Sequence, residues 1–222
     1  MGSLAQEVSV VAVLSSSGVK TIDDVRKTEV VLGATGAAGT KAGYPALLNS
    51  VLGTKFRIVT GYESSKPIML AMERGEVQGD GSNPWSAWTK RAPHWVKDRT
   101  LVPLVQIGLR KEPSIQNVPL LTDLARNDEE RAIFEFVSAP IAIQFPFAGP
   151  PNIPQDRLAT LRQAFNQIVT DPEFKVEIEK LDVELQPLSG EEAQKIVRSI
   201  VNTSPAIVAK TQAAMQPESG KK

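Results

Sequence analysis

Cysteine is absent from the 222 residues and histidine occurs once, at His94. The first absence excludes disulfides, a thiolate nucleophile and cysteine-ligated zinc, and the second excludes a histidine-rich metal site. An excess of charge is lacking too. Lys plus Arg and Asp plus Glu number 25 each, so no global field favours nucleic acid or an anionic membrane, and only a local site can recruit a charged partner. No apolar run approaches the length of a bilayer-spanning helix. The start, MGSLAQEVSVVAVL, has no basic segment, long apolar stretch or small-residue cleavage site of a signal peptide, so the chain as it stands reads as soluble and unexported. What is present is a hydrophobic fraction of 41 %, enough for a normal core in one large domain or two modest lobes.

Along the chain, apolar β-branched runs alternate with helical spacing. EVSVVAVL, EVVLGAT and KFRIVTGY read as strands, and a short helix capped by Thr21, the helix KAGYPALLNSVLG and the helix KPIMLAMERG lie between and after them. A short segment, EVQGDGSNPW, follows. The alternation is that of a parallel α/β sheet with helices on both faces. WSAWTKRAPHWVKD is a Trp-rich helical stretch broken at Pro93, and TLVPLVQIGL is a strand whose internal proline marks an edge or a bend. VPLLTDLARNDEERAIFEFV predicts two short helices, Asn127 capping the second, before a connector strand in APIAIQFPFAGPP.

The remainder is mainly helical. An amphipathic helix carries Leu158, Leu161, Phe165 and Ile168; a shorter one opens at Asp171 with Pro172 in first position. DVELQPLS reads as a final strand, Ser189 and Glu192 as a capping box for a long last helix, and QPESGKK as a frayed tail. The change of pattern puts the start of a second structural unit near Ala139.

VVLGATGAAGT, residues 30–40, is the stretch richest in chemical meaning. Glycines at 33, 36 and 39 between a strand and a helix let the backbone turn tightly, while unpaired amides at the helix N-terminus attract an anion. The same glycines are also accounted for by a tight turn and close helix packing alone. The spacing matches a dinucleotide fingerprint, and YESSK sets Tyr62 and Lys66 at the spacing of a reductase Tyr-Lys pair, which makes an NAD(P)-dependent short-chain-type reductase the alternative reading.

Against the reductase, no acidic residue for the ribose follows the glycines by about 20 positions. Tyr62 and Lys66 straddle a strand end and a turn where a catalytic pair needs one helix. No other constellation suggests catalysis, and none calls for a metal or cofactor. His94 reads as exposed or packing, Asp80 and Glu76 as solvated, and Trp85, Trp88 and Trp95 as core anchors without the interleaved basic run of a nucleic-acid surface. Lys41, beside the turn, points at a ligand or at solvent, the helix surface favouring solvent.

Taken in order, GVKTIDDVR, VVLGATGAAGT, GTKFRIVTGYESSKPIMLAMERGEVQG, VPLLTDL and FPFAGPPNIPQDRLATLRQAFNQIVTDPEF resemble the tripartite tricarboxylate transporter receptors, the Bug family of periplasmic solute-binding proteins. The resemblance implies a non-enzymatic, periplasmic-binding-protein-like α/β receptor whose two lobes close on a small carboxylate and present it to a membrane permease. It matches Thr35, Gly36, Ala37, Ala38, Gly39 and Thr40 to the second lobe's carboxylate-gripping turn. Tyr62, after Gly61, and the segment from Asp80 to Asn83 match cleft-facing loops. Residues 12–138 would form that lobe, and residues 1–11 and 139–222 a remnant of the first with C-terminal helices. On this resemblance Met1 lies inside the mature receptor, roughly a hundred residues late, so that the first lobe is incomplete.

Overall fold

A computed structural model describes residues 1–181 and 183–217; Asp182 and most of the QPESGKK tail lie outside the described residues. In chain order the elements are β1 (Gly2–Ala5), β2 (Ser9–Leu14), α1 (Ile22–Val25), β3 (Val30–Gly33), α2 (Thr40–Leu52), β4 (Phe56–Val59), α3 (Ser65–Glu73), β5 (Gly79–Pro84), α4 (Trp85–Arg91), α5 (Pro93–Lys97), β6 (Leu101–Ile107), α6 (Asp128–Ser138), β7 (Gln144–Phe147), α7 (Gln155–Ile168), α8 (Pro172–Lys180), β8 (Leu188–Ser189), α9 (Gly190–Val201) and α10 (Pro205–Ala214). Helix starts follow their sequence signals. Thr21 with Asp24 and Ser189 with Glu192 close capping boxes, Asn127 accepts from the Glu130 N–H, and Asp171 accepts from Glu173 and Phe174.

The larger sheet has the order β4-β3-β5-β2-β6. β3 pairs parallel with β4 and β5, whereas β2 runs antiparallel to both β5 and β6. β4, β3, β5 and β6 therefore point one way and β2 the other, so the sheet is parallel-rich with one reversed strand. The link from Leu14 to Val30 contains only a 3-10 turn and the single turn of α1, so it leaves the chain at the same end of the sheet instead of returning it to the other. β6, the strand with Pro103, is an edge strand, and its register with β2 shifts next to that proline.

Side-chain alternation along β2 builds two cores. Val11 and Val13 join Leu32, Leu47, Leu48 and Phe134 under α2 and α6; Val10, Ala12 and Leu14 join Ile68, Met72 and the three tryptophans under α3, α4 and α5. The tryptophans are thus core anchors, with Trp88 and Trp95 ring centroids 6.0 Å apart.

β5 is the strand the sequence does not announce. Its residues, GDGSNP, have poor strand propensity, yet it sits between β3 and β2 in the middle of the sheet. A Cβ at Gly79 would lie 2.3 Å from the Ala12 carbonyl oxygen and one at Gly81 1.9 Å from that of Lys41, so crowding by neighbours selects glycine there.

A second, antiparallel sheet has the order β7-β1-β8 and packs Leu4 against Phe165, Val169 and Ile178. Among the described residues of the expected DVELQPLS strand, only Leu188–Ser189 form a strand, with the Gln186 N–H donating to Leu4 O at 3.0 Å. The expected long last helix is two helices, α9 and α10, because Ser204 caps a new start and Pro205 has no N–H to continue the old one. Along α7 Phe165 is the buried member of the apolar stripe, whereas Leu161 and Ile168 are 40 % and 48 % exposed. Phe145, Phe147, Val176, Leu181, Val197 and Val201 are exposed in the same part of the chain. α10 instead returns to the larger core, with Ile207, Ala214 and Met215 against α2 and α6.

Tyr44, on α2, is buried and donates to the Val137 carbonyl at 3.4 Å. Burial pushes its hydroxyl from 10.0 up to about 12. An acid raised by folding stabilises fully below its unfolded pKa, and that contribution is lost as pH climbs through the window from 10.0 to about 12. Tyr44→Phe is expected to abolish roughly 2–3 kcal/mol of this alkaline loss, visible as a flatter dependence of the urea midpoint on pH across the window.

Candidate functional site

The connection after β3 leads to α2 on one face, while the connection after the adjacent β5 leads to α4 on the other. Adjacent strands whose connections depart to opposite faces leave a crevice at their carboxyl ends, the usual ligand position in open α/β sheets. The turn from Ala34 to Gly39 lies at this point, and the loop after β4 is zipped to it: Ala34 N–H donates to Val59 O at 2.8 Å, Gly61 N–H to Thr35 O at 3.2 Å and Tyr62 N–H to Ala34 O at 3.4 Å. Gly61 has φ +110°, a conformation that favours glycine.

The three turn glycines differ in cause. A Cβ at Gly33 would lie 2.8 Å from Ile68 and 3.4 Å from the Tyr62 ring, so packing with α3 demands glycine. At Gly36 a Cβ would meet nothing within 4 Å, and at Gly39 only ordinary contacts at 3.5 Å and beyond; neither has a positive φ. Close packing therefore explains Gly33, but the space over Gly36 and Gly39 is not used by the fold.

Gly39 is the N-cap of α2 and offers no side-chain cap. Ala42 and Gly43 both donate to Gly39 O, and the N–H groups of Thr40 and Lys41, the first two helical residues, have no intrahelical carbonyl to reach. They open a helix of thirteen residues, so the positive end of a full dipole faces the crevice. Ala37, Ala38 and Thr40 are exposed, and Thr35, Gly36, Gly39 and Tyr62 are half-buried.

Lys41 and Asp80 are not solvated, contrary to the reading of both from sequence. Lys41 Nζ donates to Asp80 Oδ1 and Oδ2 at 2.7 and 2.6 Å and to the Ser82 carbonyl at 2.5 Å. The Asp80 side chain is 0 % exposed and Lys41 12 %. Burial pushes the Asp80 carboxyl above its ordinary value and Lys41 below its own, while each partner's charge opposes the shift of the other. The pair forms because α2 approaches β5 closely. Pro45 has no N–H to bond the Lys41 carbonyl, and that carbonyl sits against Gly81. One extra residue bulges β5 here between the registers Asp80 with Ala12 and Asn83 with Val10. Asp80 Oδ1 also accepts the Ser82 N–H at 2.9 Å.

Asn83 ends this bulge. It is 3 % exposed, its Oδ1 accepts from Ser65 Oγ at 3.4 Å at the start of α3, and its Nδ2 is buried with no hydrogen-bond partner. A buried amide donor left unpaired costs roughly 1–3 kcal/mol, so it marks a place where an acceptor is expected. Thr35, Gly36, Ala37, Ala38, Gly39 and Thr40 thus share one turn, with Tyr62 and Asn83 on the two adjoining segments. The sequence missed the saturation of Lys41 by Asp80.

Tyr62 and Lys66 do not form a helical pair, because Tyr62 lies in the loop before α3 and Lys66 is its second residue. His94 is exposed with its ring edge-on to Trp95. Glu76 is exposed and pairs with Arg74 at 3.8 Å.

Neither a protein-family model nor a curated protein matches the sequence. Solved structures do match. A TctC solute-binding protein from Polaromonas aligns with TM-score 0.68 and 15 % identity over 94 % of this chain and 68 % of its own. An R. palustris protein, Rpa4515, solved with adipate, aligns with TM-score 0.57 and 15 % identity over 96 % and 67 %. The periplasmic binding protein BugD aligns with TM-score 0.56 and 13 % identity over 97 % and 69 %. The fold is therefore periplasmic-binding-protein-like α/β, as the resemblance implies, and the chain spans about two thirds of the length of these structures.

Proposed function

We propose that this chain is a solute receptor of the tripartite tricarboxylate transporter type, working in the periplasm, and that residues 12–138 are its ligand-binding lobe. The turn takes one carboxylate of a small ligand. Thr40 and Lys41 amides donate from the helix end, the Thr35, Thr40 and Tyr62 hydroxyls close the sides, and Asn83 Nδ2 supplies the buried donor. Residues 1–11 and the stretch from 139 onward contribute to the opposing lobe, except that Ser9–Val11 belong to β2 of the larger sheet and α10 docks on the larger unit. Lobe closure on the carboxylate then presents the complex to a membrane permease. The exposed apolar groups between Phe145 and Val201 agree with an opposing lobe only partly present in this chain.

The observation that carries this reading is the unpaired Asn83 amide beside an uncapped helix N-terminus at the switch point of the sheet. Two neighbours add to it: one is named a solute-binding protein and the other was solved with adipate. The same geometry supports a reaction-free role. Asp80 is committed to Lys41, His94 lies exposed on α5, and Tyr62 and Lys66 share no helix, so a reductase has no acid–base group in place.

An amide NMR titration with adipate tests the site. The Gly36 to Lys41 backbone amides and the Asn83 side-chain amide are expected to shift together, saturating in the millimolar range because one lobe buries only part of the ligand. Unmoved turn amides, or shifts confined to other surfaces, sink the proposal. A response to NADPH instead of adipate favours the reductase.

A further inference from the structure

We infer that Asp80 is the specificity-determining residue of the turn, withdrawing and offsetting the Lys41 charge so that the site accepts a carboxylate and discriminates against doubly charged phosphate- or sulfate-like headgroups. The inference rests on the carboxylate-site reading above and names what limits it.

Anion sites for phosphate and sulfate commonly bring a lysine or arginine to a helix N-terminus, where its charge adds to that of the dipole. Lys41 stands at the second position of α2 and is placed to do this. Its three ammonium hydrogens are nevertheless consumed, two by the Asp80 carboxylate and one by the Ser82 carbonyl. Asp80 lies opposite Gly33, the first glycine of the turn, in the β3–β5 register. Its negative charge is thus set under the same crevice. The Arg91 guanidinium at the end of α4 repels Lys41, but it is exposed and its charge is screened by solvent and salt. What the crevice retains is the helix dipole and neutral donors, which suit one carboxylate and leave a second charge on the same headgroup uncompensated.

Stability does not account for such a pair. Two charges taken out of water are often replaced at no loss by apolar side chains of similar size, so a buried ion pair beside a binding turn invites a functional reason.

Amide NMR titrations of the full chain with sodium sulfate and with adipate, at equal ionic strength, test the inference on three proteins: wild type, Asp80→Asn and Lys41→Met/Asp80→Asn. The wild-type turn is expected to bind adipate more tightly than sulfate. Asp80→Asn is expected to tighten sulfate about tenfold and adipate by no more than about threefold, since Lys41 then adds its full charge. The gain is expected to vanish when Lys41→Met is added. An unchanged sulfate-to-adipate ratio in Asp80→Asn overturns the inference, as does a gain that survives loss of Lys41. A merely structural role changes both affinities by the same factor and leaves their ratio unaltered. Should Asp80→Asn not fold, the wild-type order decides, and sulfate tighter than adipate overturns the inference. If neither anion moves the turn amides in any of the proteins, the carboxylate-site reading itself has failed, an outcome distinct from an altered ratio.

Discussion

Lys41→Met is expected to lower the free energy of unfolding by about 3–5 kcal/mol at neutral pH, because it leaves the Asp80 carboxylate buried without its counter-ion. The Asp80 side chain is 0 % exposed, and its remaining donor is the Ser82 N–H. The loss carries a pH signature. Burial already holds the Asp80 pKa above its unfolded value of 3.8, and Lys41 is the largest influence pulling it back down. Without Lys41 the folded pKa rises further. A carboxyl raised by folding gives its full stabilisation below the unfolded pKa and loses it as pH rises through the folded one. The deficit of the variant relative to wild type is therefore expected to be largest at neutral pH and to shrink on acidification toward pH 4, as Asp80 takes up a proton in the folded state. Urea unfolding of both proteins at a series of pH values measures it. A deficit under about 1 kcal/mol, flat in pH, would mean that the pair is open to water.

Gly81→Ala is expected to cost about 3 kcal/mol or more, placing it beyond ordinary glycine-to-alanine changes. The added methyl would lie 1.9 Å from the Lys41 carbonyl oxygen and 2.7 Å from Pro45 Cγ. The first of these is helix backbone, so α2 as a whole has to move away from β5. The shift acts on the site as well, since the N-terminus of α2 and the Lys41–Asp80 contact ride on that approach. Gly36→Ala serves as the contrast. A Cβ there meets nothing within 4 Å, and the expected change in stability is within about 0.5 kcal/mol. Thermal melts of the two variants side by side decide the matter, and equal melting temperatures would falsify the close packing of α2 on β5.

Several features are legible from local sequence because local physics fixes them. Caps at Thr21, Asn127, Asp171 and Ser189 satisfy helix amides within three residues, so no distant partner is needed to read them. The break at Pro93 and the edge position of β6 follow from a missing N–H. Gln106 shows the opposite case. In TLVPLVQIGL it is one polar residue in an apolar strand, yet folded it is 0 % exposed, donating to the Ile115 and Val118 carbonyls and accepting from the Glu112 N–H. Nothing within the strand indicates that it secures a loop on the chain ahead.

By itself the sequence determined the α/β class, the strand–glycine turn–helix unit, its anion-attracting end and the succession of motifs, since each rests on residues a few positions apart. Tertiary structure decided the reversal of β2, the inclusion of β5, and the burial of Lys41, Asp80 and Asn83. Those depend on how closely α2 approaches β5 and on which groups thereby leave water. Lys41 and Asp80 are 39 residues apart, and each alone is an ordinary surface charge. Burial against one another turns them into a fixed pair, because desolvation and mutual attraction are both set by the packed distance and neither by the residue type.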